Sequence, residues 1–474
     1  MAESFPFRSL RSWLQFLEEQ GDLVRVQEEV DPNEDITAFA YKGCRVPNSP
    51  SFLFENIKGY PGWRIASQTM YDWQRQAWAL GISDPANLAR EIGPKLDQRV
   101  PPIQVSTGPC KEVKFFAEDA DLSRIPFCMT GEFEGIPNLT AGISNKQDPE
   151  TGWQNIAIRR QGISGRHKFS EYINTSNQDF QIWGKWQLQG KKMPVALIIG
   201  ADPVACMVTQ TKMPVGVCEY ELWGAFTGQP LEVVKCETSD LLVPAEAEIV
   251  IEAEIEPFER ELDGPFPEFG GYYTTLAWVA KSNVKCITMR RDPIFYYLGM
   301  GLAPTEGHNI AEPMQAATLY NLLCKQFSGI INVHNHGWYH NIVQVDRRIS
   351  KAWPQMAQAI GNAVKVAIPY ANITFVVDDD FGADLTDYYE LMNALHYKFA
   401  ATKDLTVLHR TTGDLLNPIE PWVGRIGWQD YCTFDLTEKM APWDECYKRG
   451  KAIPGRAARK KMEEGLWDKV VGRK

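Results

Sequence analysis

The sequence predicts a mixed α/β protein of more than one domain, and three observations carry that prediction. At 474 residues the chain is too long for one ordinary hydrophobic core. Apolar residues recur at helical spacing near both ends. Between those ends the apolar runs are short, rich in β-branched residues and broken by glycine and proline. The expected order is α/β, then β-rich, then α/β, with domains over about residues 1–105, 106–320 and 321–474.

Each element follows from its residues. Leu10, Trp13, Leu14 and Leu17 share one helical face, and Gly21 stops that helix. Leu23 to Val26 reads as a strand and Asp31 to Tyr41 as a second helix. The Pro101-Pro102 pair marks the first boundary. Val195 to Gly200 reads as a strand covered on both faces. Glu248 to Ile255 and Cys286 to Arg290 are further strands. Helical spacing returns over Glu312 to Gln326 and over Pro354 to Val366, the latter opening on a proline suited to a first turn. Phe375 to Asp380 reads as a strand entering an acidic loop, and Lys448 to Lys461 as a basic, solvated or subunit-docking tail.

Composition excludes several classes. A net charge of −11 argues against a general binder of nucleic acid or anionic membrane. No apolar run approaches the roughly 20 residues that span a bilayer, and the opening residues lack a basic-then-apolar signal pattern, so a cytoplasmic location is expected. Ten cysteines spread from Cys44 to Cys446 without paired spacing, unlike a zinc site or a disulfide scaffold. Neither GxGxxG nor GxxxxGK[ST] occurs. His334, His336 and His340 cluster without a companion cysteine or spaced carboxylate, which favours packing roles over a metal site.

Two runs carry chemistry. In Asp263-Gly-Pro-Phe-Pro-Glu268-Phe-Gly-Gly-Tyr-Tyr273, two carboxylates five residues apart sit among prolines and glycines that fix unusual backbone angles. In Asn155-Ile-Ala-Ile-Arg-Arg160, strand alternation puts Ile156, Ile158 and Arg160 on one side and Asn155, Ala157 and Arg159 on the other. The residues alone leave two readings open: an arginine paired with one or both acids in a working site, or a surface ion pair beside a tight turn.

Taken together, these runs resemble the UbiD family of reversible decarboxylases. The stretch from Asp263 is similar to its acid-Gly-Pro-(Phe/Tyr)-x-acid signature, and Asn155 with Arg160 to its Asn-x-x-x-x-Arg run. Glu219-Tyr-Glu-Leu222 with Gly228-Gln-Pro230, then Val234 to Ala245 and Glu248 to Glu254 match in order, and the opening helix, Phe54 to Pro61, Pro304-Thr-Glu306 and Val376 to Asp380 also fit, so the resemblance covers nearly the whole chain. It implies a central split β-barrel that binds flavin, between an N-terminal α/β segment and a C-terminal α/β domain that mediates association into a dimer or hexamer.

The activity implied is non-oxidative decarboxylation, or carboxylation, of an aromatic or α,β-unsaturated acid, with CO2 as co-product or co-substrate. Loss of CO2 from an sp2 carbon needs an electron sink that no side chain offers, so a cofactor must supply it. The resemblance makes it prenylated FMN, furnished by a flavin prenyltransferase, with its phosphate held through Mn2+ (or Mg2+) and a K+ ion nearby. By the same resemblance Arg160, Asp263 and Glu268 are catalytic, and Glu268 donates the proton. Asn155, Ile158, Arg159, Arg160, Gln178 and Glu219 line the cofactor, and Asn155, Gln178 and Glu219 offer the oxygen ligands a hard cation prefers.

Three departures from the family pattern stand in the sequence. The first acid is Asp263 instead of the commoner glutamate. The usual third ligand, a histidine, is absent from Ser176-Asn-Gln-Asp179, which makes Gln178 the candidate. A Ser-Lys pair that meets the phosphate is missing near Asp430 to Thr437, with Arg425 as a substitute cation. These changes motivate the alternative of a non-catalytic subunit working beside sister subunits; an ordinary flavin oxidoreductase is a third reading.

Overall fold

The computed structural model describes residues 5–175, 177–211, 213–337, 340–379, 385–413, 428–437 and 454–471. The N-terminal layer starts with the helix Leu10–Glu19. Ser9 caps it, accepting from the Ser12 amide while Ser12 Oγ accepts from the Ser9 amide. Leu10, Trp13, Leu14 and Leu17 are all buried, each worth about 1.5–3 kcal/mol. The helix ends at Gln20, and Gly21 takes φ +72°, a left-handed angle that glycine adopts at little cost. The strand Leu23–Val26 pairs in parallel with Ser51–Phe54, which pairs with Arg64–Ser67. Ile294–Tyr297 returns from far along the chain to complete this four-stranded sheet. The second helix spans Asp35–Gly43, starting later than the expected Asp31. Asp31 Oδ1 accepts from Asn33 N–H and Asp35 Oδ2 from Asp31 N–H, so residues 31–34 form a turn around Pro32 ahead of the helix.

The central unit is a nine-stranded, wholly antiparallel sheet. Its spine is the pair Ile249–Asp263 and Ala277–Met289, longer than the two runs expected from sequence. Alternation is lost after Ile255 because Pro257 lies in a register shift between Ile255 and Arg260, and residues 258–260 are exposed. Met193–Ile199, Ile143–Gln147 and Gln154–Ile158 continue from one side of the spine. Lys168–Glu171, Gln161–Gly165 and Asn138–Leu139 continue from the other. Gln154–Ile158 and Gln161–Gly165 thus lie toward opposite edges of the sheet, yet only Arg159 and Arg160 separate them in the chain. The sheet must therefore curl until its edges meet at those two arginines, with no hydrogen-bonded ladder between them. This is the split β-barrel that the resemblance implied.

The C-terminal unit is a five-stranded mixed sheet in the order Ile330–His336, His340–Val345, Ile373–Asp378, Trp428–Leu436, Leu405–Thr412. The helix Glu312–Gln326 has the bounds its periodicity predicted, and Met356–Ala367 starts just past Pro354. The acidic strand ends at Asp378, while Asp380, Arg425 and residues 448–453 of the basic tail fall outside the described residues. One apolar core joins the N-terminal layer to the barrel through residues such as Trp13, Phe54, Ile65, Leu197, Ile251 and Tyr297. A second lies between Leu319, Leu323, Val343, Ile360 and Val376. Among the described residues no helix is long and apolar enough to cross a membrane.

Candidate active site

The barrel's closing link and the end of its longest strand meet at one place. Arg160 follows the strand Gln154–Ile158, and Asp263 ends the strand Ile249–Asp263. Arg160 Nη1 lies 2.7 Å from Asp263 Oδ2, and Arg160 Nε lies 3.2 Å from Glu268 Oε1. The side chains are 11%, 2% and 16% exposed in that order, so three charges share a largely water-free corner. The Arg160–Asp263 contact is off-axis: Nη1 and Oδ2 are close, but neither makes an aligned hydrogen bond. Asp263 is fixed instead through Oδ1, which accepts from the Ser170 hydroxyl at 2.7 Å. The guanidinium also lies over Phe266 and Tyr172, 4.7 and 5.4 Å from the ring centroids.

The loop between the two acids is tightly determined. Gly264 takes φ +89°, and a Cβ there would stand 2.9 Å from the Thr275 carbonyl oxygen. Glu268 N–H donates to the Tyr272 carbonyl, Gly271 N–H to the Glu268 carbonyl, and Thr274 N–H to the Phe266 carbonyl. A neighbouring turn packs on this loop through Phe133 and Tyr273, whose rings meet edge-on at 5.5 Å. Glu134 holds that turn from within. It accepts from Thr130 and Gly131 N–H and from the Asn138 amide, and burial pushes its carboxyl up to about 7.

On the other side of the arginine link lies a second polar cluster. Asn155 Nδ2 donates to Asp179 Oδ1 at 2.5 Å, and Arg159 Nε donates to Asp179 Oδ2 at 2.9 Å. Lys146 Nζ stands 3.4 Å from the same oxygen, 2.5 Å from Glu171 and 2.6 Å from Ser144 Oγ. Burial pushes the Asp179 carboxyl up, but Lys146 and Arg159 outweigh it and hold the group below its ordinary value. Glu219, first residue of the helix Glu219–Thr227, accepts from Ile156 N–H at 2.9 Å. Burial, with Asp179 adding to it, pushes its carboxyl up to about 8. Buried amide and carboxylate oxygens in this number suit a hard divalent cation, which would relieve that burial penalty.

Of the residues expected from sequence, Arg160, Asp263 and Glu268 come together, as do Asn155, Arg159 and Glu219. Ile158 packs half-buried against the main core at the strand end. Gln178 turns elsewhere: its Nε2 donates to the Met213 carbonyl at 2.8 Å. Its neighbour Asp179 faces Asn155 in its place. Sequence reasoning passed over Asp179 although it offers a carboxylate one position on. It passed over Ser170 and Glu134 because nothing in their local pattern marks them, and it gave Phe266, a fixed position of the acid signature, no contact with Arg160. His334 and His336 meet edge-on, 4.5 Å apart, beside Trp73, and among the described residues no three His, Cys, Asp or Glu side chains form a metal cluster.

Comparison with known proteins gives the class first. The chain is 29% identical to HmfF from Pelotomaculum thermopropionicum, a UbiD-class enzyme solved with FMN, with a TM-score of 0.86 over 97% of this chain and 100% of that one. An evolved dimeric form of HmfF, solved with prFMN, is 28% identical, with a TM-score of 0.83 over 95% and 98%. Vanillic acid decarboxylase from Sedimentibacter hydroxybenzoicus, in closed form, is 26% identical, with a TM-score of 0.82 over 98% and 99%. An uncharacterized protein of Synechocystis sp. is 28% identical over 97% of both chains. Residues 14–96, 103–302 and 308–440 match the N-terminal, Rift-related and C-terminal domains of 3-octaprenyl-4-hydroxybenzoate carboxy-lyase. The chain belongs to the UbiD family and is a carboxy-lyase.

Proposed function

We propose that this chain catalyses the reversible, non-oxidative decarboxylation of an aromatic or α,β-unsaturated acid with prenylated FMN, and that Glu268 is the proton donor. The observation that carries the reading is Arg160 held between Asp263 and Glu268 where the barrel closes. Support comes also from HmfF, whose solved structures hold FMN and prFMN. When bound, that cofactor supplies the electron sink for the carbon that loses CO2. Asn155, Asp179 and Glu219 would hold a divalent cation, Mn2+ or Mg2+, at its phosphate, with Asp179 standing where Gln178 was expected. Arg159 adds a positive charge beside them.

The chain's own residues do the rest. Asp263, anchored by Ser170, keeps Arg160 aimed at Glu268. The guanidinium offsets two carboxylates in a dry corner and can orient the carboxylate of a substrate. Glu268 takes up the proton that the substrate acid brings; as CO2 departs with the bonding pair left behind, it delivers that proton to the same carbon, forming C–H, and carboxylation runs the same transfer backward.

The test is to purify the protein after co-expression with a flavin prenyltransferase, and to follow solvent-deuterium exchange into a panel of phenols, aryl acids and heteroaryl acids. A flavin spectrum with exchange into at least one compound is the expected outcome. A colourless protein in stable complex with a sister chain would support the non-catalytic subunit instead.

A further inference from the structure

The Pro304-Thr305-Glu306 run has no part in the chemistry above, yet it borders the acid loop. The segment it opens is anchored to the N-terminal layer twice. Arg45 Nη2 donates to the Leu302 and Ala303 carbonyls at 2.7 and 3.0 Å, and Nη1 to the Pro304 carbonyl at 3.3 Å. Glu306, wholly buried, accepts from Gln68 N–H at 2.9 Å, Met70 N–H at 2.8 Å and the Tyr296 hydroxyl at 2.8 Å. Two residues on, His308 is also fully buried. Its Nε2 lies 2.9 Å from the Phe269 carbonyl oxygen and its Nδ1 2.7 Å from Thr305 Oγ1.

The partners fix the tautomer. A carbonyl oxygen only accepts, so Nε2 must carry the hydrogen. In the neutral ring Nδ1 is then an acceptor, and the Thr305 hydroxyl donates to it while accepting from His308 N–H at 3.4 Å. Burial pushes the imidazole down to about 4, which keeps it neutral at physiological pH. The ring also meets Phe269 edge-on at 4.9 Å. Phe269 directly follows Glu268, in the turn closed by Gly271 N–H on the Glu268 carbonyl and by Glu268 N–H on the Tyr272 carbonyl.

We propose that His308 is a positioning residue for the decarboxylation: its Nε2–H holds the Phe269 carbonyl and thereby fixes the turn that presents Glu268 to Arg160. Through Glu306 and Arg45 the same segment ties the proton donor to the N-terminal layer, far from it in sequence. This inference rests on the role given to Glu268 above.

The test compares H308A, H308Q, E268Q and the H308A/E268Q double variant as flavin-loaded holoenzymes, using the panel acid that exchanges deuterium fastest. Glutamine carries an amide N–H able to reach the Phe269 carbonyl, whereas alanine carries none. The expected result is a fall in kcat of about tenfold or more in H308A, with KM changed less than about twofold and H308Q restoring most of the rate. The double variant should be no slower than E268Q. Histidine 15N spectra of the full wild-type chain should show one ring with Nδ1 bare and Nε2 protonated, lost in H308A and unchanged down to about pH 5.5. Full activity in H308A, an equal loss in H308Q, or a ring protonated at Nδ1 would overturn the inference. Full exchange in E268Q would instead overturn the role of Glu268, whatever His308 does.

Discussion

Replacing Arg160 by methionine removes the cation from beside Asp263, which is 2% exposed and 2.7 Å away, while keeping much of the side chain's volume. Breaking a buried ion pair by deleting one partner costs about 3–5 kcal/mol, because the remaining charge is left without compensation. Two features reduce that here: Ser170 still donates to Asp263 Oδ1, and the pair is off-axis. A third adds to it, since the guanidinium's contacts with buried Phe266 and more exposed Tyr172 are worth about 0.5–2 kcal/mol each. The net expectation for R160M is a destabilisation of about 3 kcal/mol. The R160M/D263N double variant removes the stranded charge and should recover about half of it. Urea unfolding of the four members of this cycle, followed by tryptophan fluorescence and by circular dichroism, measures both. A loss in R160M below about 0.5 kcal/mol, or no recovery on adding D263N, would refute the reasoning that these charges depend on each other in a dry corner.

Other outcomes follow from the same geometry. D179N should weaken Mn2+ binding by about tenfold or more, read by electron paramagnetic resonance of the flavin-free protein, because it removes a carboxylate beside Asn155. Q178A should leave Mn2+ affinity within about twofold, since that side chain bonds the Met213 carbonyl. Burial pushes Glu306 up to about 7, above the ordinary value of 4.5. The folded state then holds a proton that the unfolded state has lost, so this group's contribution is complete below about pH 4.5 and declines as pH rises to about 7. The wild type should lose stability over that window by on the order of 3 kcal/mol more than E306Q, and parallel pH–stability curves for the two would contradict the assignment.

Much of the fold was legible because local pattern and tertiary burial agree. Leu10, Trp13, Leu14 and Leu17 show helical periodicity and are all buried, and Glu312–Gln326 has the bounds its spacing predicts. The second helix was misjudged at its start because Asp31, Pro32 and Asn33 are as good for a turn as for a helix cap. The long strand past Ile255 was invisible because its register shifts at Pro257 and residues 258–260 beyond it are exposed. Barrel closure depends on pairings between strands far apart in the chain, which no window of sequence contains.

The site divides the same way. The acid loop and the Asn-to-Arg run are marked by residue type, so Arg160, Asp263 and Glu268 could be named together before their distances were known. The choice between Gln178 and Asp179 could not be made from spacing: successive residues on a helix point about 100° apart, and one of them turns to Met213 while the other turns to Asn155. His308 carries no local signal, since its role lies in a contact with Phe269, 39 residues earlier.

Solvent-deuterium exchange by the flavin-loaded E268Q variant tests the central chemistry most directly. With the carboxyl replaced by an amide that cannot deliver a proton, exchange should fall to the level of the flavin-free protein while the flavin spectrum and bound Mn2+ stay as in wild type. Exchange at the wild-type rate would show that the proton comes from elsewhere and that Arg160, Asp263 and Glu268 are not the working group.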